Sequence, residues 1–126
     1  MSRLSLRIES AAGPYQRVFL AGRLDGTTHG ELDLALAPLL NDGTHILEFN
    51  LAGLEYISSA GLRSIFRARK ALGAHAGRVL VMQPTPPVRK VFELVKAVPV
   101  EEVFASQEEL DTYLAAIQAK VASGDL

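Results

Sequence analysis

The 126-residue chain contains no cysteine and no tryptophan, and only three histidines. Without cysteine there are no disulfides, no thiolate metal sites and no cysteine nucleophile, and a reducing compartment suits such a chain. His29, His45 and His75 are scattered and share no ligand spacing, so no metal site is expected from them. Aromatic residues are 6% of the chain, too few for a base-stacking platform. Charge of one sign is also lacking: Lys+Arg is 13 and Asp+Glu is 14, a net charge of -1, so there is no overall pull toward nucleic acid or an anionic membrane. No apolar run approaches the ~20 residues of a membrane span, and no membrane insertion is expected. The first residues lack the apolar centre of a secretory signal. A cytoplasmic protein is the expectation.

Catalytic signatures are missing as well. There is no Gly-x-x-x-x-Gly-Lys phosphate loop, no Gly-x-Gly-x-x-Gly and no Gly-x-Ser-x-Gly elbow. The acid pairs Glu101-Glu102 and Glu108-Glu109 fall in a polar turn and at a helix start, where the second pair complements the helix dipole without any catalytic task. The chain is not expected to be an enzyme, and no cofactor is expected.

What is present is the profile of one folded domain, with 48% hydrophobic and 21% charged residues. A single domain over residues 1–126 is expected, with its core at about 4–121 and a short tail at 122–126. Leu4, Leu6 and Ile8 alternate with polar residues, as in a half-buried strand, and residues 17–21 form a second strand close enough to pair with it. Thr28 and Glu31 have capping-box spacing, and Leu32, Leu36, Leu39 and Leu40 continue one helical face that Pro38 should loosen near its end. Residues 46–49 read as an interior strand and residues 51–59 as a loop with apolar anchors at Leu54, Tyr56 and Ile57. A helix follows at about 60–72, with Leu62, Ile65, Phe66 and Leu72 on one face and Arg63, Arg67 and Lys70 opposite. Residues 79–82 form a buried strand, and Pro86 opens a helix carrying Val88, Val91, Phe92 and Val95. Residues 98–104 read as a loop with a short edge strand near Val103. Ser106 and Glu109 cap a last amphipathic helix through Leu110, Tyr113, Leu114, Ile117 and Val121. The order is that of an α/β domain: a mixed, mostly parallel sheet of four to five strands packed with about four helices. With its apolar positions taken up by helix and sheet faces, the domain is expected to be a monomer; the stretch Leu39-Leu40 after Pro38 is the one apolar segment that could be exposed.

The segment that stands out chemically is Tyr56-Ile57-Ser58-Ser59-Ala60-Gly61-Leu62. Two hydroxyls meet the first turn of a helix, where backbone N–H groups lack partners and the dipole favours negative charge. One serine suffices as an N-cap, a role worth roughly 1 kcal/mol. The other is then available for phosphorylation, which would add about -1.5 to -2 charge at the surface. The stripe of Arg63, Arg67 and Lys70 is either a solvated face or a partner contact.

These residues resemble STAS domains of the anti-sigma factor antagonist type. Gly22-Arg23-Leu24-Asp25 is similar to the family's Gly-Glu-Leu-Asp element, residues 47–57 to its strand and loop, and Ser58-Ser59-Ala60-Gly61-Leu62 to its Asp-Ser-Ser/Ala-Gly-Leu core. Val79-Leu80-Val81 followed by Pro86, Val88, Val91 and Phe92 is similar to its fourth strand and third helix. The similarity spans roughly residues 4–118 in the family's order.

The resemblance implies a STAS fold and a partner switch. The unphosphorylated antagonist binds an anti-sigma factor that is itself a serine kinase, and so frees a sigma factor; phosphorylation releases it, and a serine phosphatase resets the cycle. Alignment on Gly61-Leu62 puts the phosphorylated serine at Ser59, with Ser58 as a second choice where the family has an Asp. Asp25, Ser58, Ala60, Gly61, Leu62, Arg63 and Arg67 are the expected partner-binding residues. For Asp25 a plain turn role beside Gly26 fits equally well. The alternative within the same fold is a constitutive scaffold or accessory subunit, of a sensory complex or a lipid-transporting ABC system, in which Ser59 is mainly a helix cap.

Overall fold

A computed structural model describes residues 3–12, 14–97, 104 and 106–125. Among the described residues, four strands lie in the order β1 (Leu4–Ala12), β2 (Tyr15–Leu24), β3 (Ile46–Ile57), β4 (Arg78–Met82). The first pair is antiparallel, and the β2–β3 and β3–β4 pairs are parallel. The helices among the described residues are α1 (His29–Leu36), α2 (Ser59–Gly73), α3 (Pro86–Ala97) and α4 (Gln107–Ala122). This is the expected mixed α/β sheet. The edge strand expected near Val103 lies outside the described residues.

The core follows from alternation along the central strands. Val18 and Leu20 of β2, and Leu47, Phe49 and Leu51 of β3, are buried under the helices. Leu32 and Leu36 of α1, Leu62, Ile65, Ala68 and Leu72 of α2, Val88 and Val91 of α3, and Leu110 and Leu114 of α4 complete the cluster. Burial of such side chains contributes about 1.5–3 kcal/mol each and outweighs any local propensity.

Several expectations are corrected. Residues 51–57 are not a loop but the second half of β3. Alternation fails there because β3 bulges twice against β2: Phe19 pairs Asn50 while Ala21 pairs Gly53, and Gly22 pairs Leu54 while Arg23 pairs Tyr56. Each bulge inserts one residue, so the inward positions Leu51, Leu54 and Ile57 fall three apart instead of two. Phe66 is not on the buried face of α2; it is 39% exposed, and Ala68 takes its place in the core. Leu34, at 79%, is a more exposed apolar side chain than Leu39 or Leu40, which pack against the core after a single 3₁₀ turn built around Pro38. Gly22 makes a close approach that no other residue allows: its φ is +92°, and an added Cβ would meet the Arg3 carbonyl oxygen at 2.1 Å.

Candidate functional site

The C-terminal end of β3 and the start of α2 meet two neighbours, the turn after β2 and the face of α4. Ser58 is the N-cap of α2: its backbone is extended, and its Oγ accepts the Gly61 N–H at 3.4 Å. The long distance makes this a weak cap. The Ser58 N–H donates to the Leu24 carbonyl at 2.9 Å, which ties the start of α2 to the end of β2.

Ser59 is held differently. Its N–H donates to Asp111 Oδ1 at 2.8 Å, and its hydroxyl donates to Asp111 Oδ2 at 3.0 Å. Both carboxylate oxygens of an α4 residue are therefore used on one serine. Ser59 is 5% exposed, which departs from the expectation of a hydroxyl standing at the surface. Asp111 sits at the N-terminus of α2 as an internal anion, where the dipole and the first backbone donors favour it. Sequence reasoning did not single it out, because it lies 52 residues from its partner on a helix whose apolar face explained the segment.

Two turns further along α4, Gln118 completes the clamp. Its Oε1 accepts the Ile57 N–H at 3.0 Å, and its Nε2 donates to the Ile57 carbonyl at 2.9 Å. Gln118 is 3% exposed, so the inward face of α4 runs through Leu110, Leu114 and Gln118. Tyr113, expected on that face, is exposed and stacks on Phe104 at 5.1 Å between ring centroids.

Asp25 folds the turn that faces this junction. Its Oδ1 accepts the N–H and hydroxyl of Thr27 at 2.9 and 2.8 Å, and its backbone oxygen accepts the N–H of His29 at 2.9 Å. The capping role expected of Thr28 is not made: its hydroxyl donates to the Arg23 carbonyl and accepts the Asp25 N–H, both at 2.9 Å. Thr28 thus braces the turn while Asp25 receives the first donors of α1. Burial pushes the Asp25 pKa up, but the hydrogen bonds from Thr27 and Thr28 and the Arg23 charge outweigh it and leave the group below its ordinary value. Arg23 Nε lies 3.6 Å from Asp25 Oδ2, and its guanidinium covers the Tyr56 ring at 4.0 Å. The Tyr56 pKa is raised by burial and by the charges of Asp111 and Asp25, with Arg23 opposing. Arg23, Asp25, Tyr56 and Asp111 thus form one electrostatic group that reaches the serine pair through Asp111; Arg23, Tyr56 and Asp111 were not named as site residues from the sequence.

The other candidates divide by burial. Arg63 and Arg67 are exposed on α2, with Arg67 3.9 Å from Asp33 of α1. Ala60, Gly61 and Leu62, expected at a partner interface, are buried instead. A Cβ on Gly61 would lie 2.7 Å from Leu24 Cγ and 2.9 Å from the Leu24 oxygen, so this glycine lets α2 touch the end of β2. These three residues seat the helix: Ala60 and Leu62 are buried, and the bare backbone of Gly61 lies against the end of β2. Among the described residues, no cluster of acidic, His or Cys side chains could hold a metal ion, and no helix is long and apolar enough to cross a membrane.

Comparison with known proteins agrees with this architecture. An anti-sigma-B factor antagonist of Staphylococcus epidermidis is 28% identical over 92 residues, covering 72% of this chain and 85% of that protein. Among solved structures, the anti-sigma factor antagonist SpoIIAA in its unphosphorylated form superposes with a TM-score of 0.68 at 23% identity, over 75% of this chain and 84% of that one. The Bacillus cell fate determinant SpoIIAA in its phosphorylated form gives a TM-score of 0.62 at 22% identity, over 71% and 81%. The family model of the STAS domain matches residues 16–110, most of the chain, and with the β2–β3–α2 site inside that match the protein belongs to the STAS domain family.

Proposed function

We propose that this protein is an anti-sigma factor antagonist whose binding is gated by phosphorylation at Ser59. In its unphosphorylated form it would sequester an anti-sigma factor that is also a serine kinase, and so free a sigma factor; a serine phosphatase would restore it. The observation that carries this reading is the division of labour between two adjacent hydroxyls. Ser58 is occupied as the cap of α2, while the Ser59 hydroxyl donates to a side chain, not to the backbone of its own helix. The relative named an anti-sigma-B factor antagonist and the SpoIIAA structures in both phosphorylation states support it. Arg63 and Arg67, exposed on α2, and the Asp25 turn supply the partner-facing surface. A doubly charged group in an otherwise complementary interface costs desolvation, and each 1.4 kcal/mol lost weakens binding about tenfold.

Site-mapped mass spectrometry of the protein from its native cells, growing and stressed, tests the reading. A condition-dependent phosphoryl group on Ser59, with a partner captured by Ser59→Ala and lost by Ser59→Asp, is the expected result. Phosphate on Ser58 instead would keep the switch and move the acceptor. No phosphate in any state, with Ser59→Asp still bound to its partner, would favour a constitutive STAS subunit.

A further inference from the structure

We propose that Asp111 is a lock on Ser59, and that a phosphoryl group on that serine opens helix α4 from the β3–α2 junction. The proposal rests on the reading of Ser59 as the acceptor. It starts from the two bonds Ser59 makes to Asp111, through its N–H at 2.8 Å and its hydroxyl at 3.0 Å. In phosphoryl transfer the serine Oγ forms a bond to the terminal phosphorus of a nucleoside triphosphate supplied by the kinase. The bond from that phosphorus to the nucleoside diphosphate breaks, and the hydroxyl proton leaves to a base.

Three consequences follow for Asp111. Its Oδ2 loses its donor, because the proton is gone. The space between the two oxygens, 3.0 Å, cannot hold a phosphorus with its three further oxygens. Two anions would then share one helix N-terminus, and the more highly charged phosphate would take the backbone donor that Asp111 Oδ1 now uses. Unmodified, Asp111 occupies the place of the phosphate and keeps Ser59 covered.

Release of Asp111 bears on α4 because the helix is fastened to the junction at two points seven residues apart, Asp111 on Ser59 and Gln118 on Ile57. Leu110 and Leu114 are buried beside and between them. Losing the first fastening loosens the N-terminal half of α4 while the sheet, held by its own ladder, stays intact. Modification would then be read on α4 as well as at the serine.

Hydrogen exchange of the full chain, with phosphoserine inserted at position 59 by codon suppression, tests this without any kinase. Amides of residues 107–118 should exchange about tenfold faster than in the unmodified chain, with β2 and residues 46–52 of β3 unchanged, and a serine phosphatase should restore slow exchange. Asp111→Ala with an ordinary Ser59 should reproduce the fast exchange. Phosphorylated Asp111→Asn removes the second anion and supplies an amide donor to the phosphate, so it should exchange more slowly than the phosphorylated wild type. Exchange at 107–118 within about twofold of the unmodified chain, equal acceleration throughout the sheet, or no rescue by Asp111→Asn would each overturn the proposal. These outcomes are separate from phosphate mapping in native cells, so the lock and the switch can fail independently.

Discussion

The carboxamide of Gln118 pairs with both backbone groups of Ile57, accepting its N–H at 3.0 Å and donating to its carbonyl at 2.9 Å. A side chain from α4 thereby satisfies the last residue of β3 where the strand runs past the end of β4. Register explains the need. β4 pairs with β3 only from Ile46 to Asn50, so the far half of β3 needs other partners on that side. Thr85 serves the same purpose at Leu54, donating to its carbonyl at 2.6 Å.

Replacing Gln118 with leucine keeps the size and removes both bonds. Two buried backbone groups would lose their partners, at about 1–3 kcal/mol each. Chemical denaturation of Gln118→Leu should show a loss of about 2–4 kcal/mol with an unchanged m-value. A loss below about 0.5 kcal/mol would mean that water or a shift of α4 replaces the pair.

Two glycines should respond oppositely to alanine. At Gly61 the new methyl would meet Leu24 Cγ at 2.7 Å, the Leu24 oxygen at 2.9 Å and Ile57 Cγ1 at 3.0 Å, so α2 must move off the end of β2. Gly61→Ala should cost about 1–3 kcal/mol, read as a fall in Tm. At Gly30 in α1 nothing lies within 4 Å of an added Cβ, and Gly30→Ala should stabilise by up to about 1 kcal/mol through helix propensity.

The Asp25 turn makes stability pH-dependent in a defined direction. The folded-state pKa lies below the ordinary 3.8, so ionised Asp25 contributes stability that is fully present above that value and is lost as pH falls through the folded pKa. Asp25→Asn should therefore be less stable than the wild type at neutral pH, by about 1–2 kcal/mol. The gap should close as pH falls below 3.8. Paired urea titrations at neutral and acid pH check it, and a gap independent of pH would remove the carboxylate from the account.

The serine pair and its family motif were readable because the information is local. Ser58 and Ser59 precede Gly61 and an amphipathic run, and a helix N-terminus is built from neighbours in sequence. The burial of Ala60 and Gly61 was not readable, because motif residues that seat a helix and motif residues that meet a partner have the same spacing. The far half of β3 was misread for a related reason. Its bulges depend on how β2 lies alongside, and they change a period of two into a spacing of three.

By itself the sequence determined the α/β order of elements, the apolar runs of β2 and of the first half of β3, the cap at Ser106, and the family resemblance. The elements and the cap rest on periodicities and short-range hydrogen bonds that the chain carries wherever it is placed, and the family rests on the resemblance of its motifs. Only the tertiary structure decided that Ser59 is covered, that Asp111 holds it, and that Gln118 secures the strand behind it. The physical reason is sequence separation. These bonds join residues 52 and 61 positions apart, and a polar residue on a helix has no visible role until packing delivers it to a buried donor.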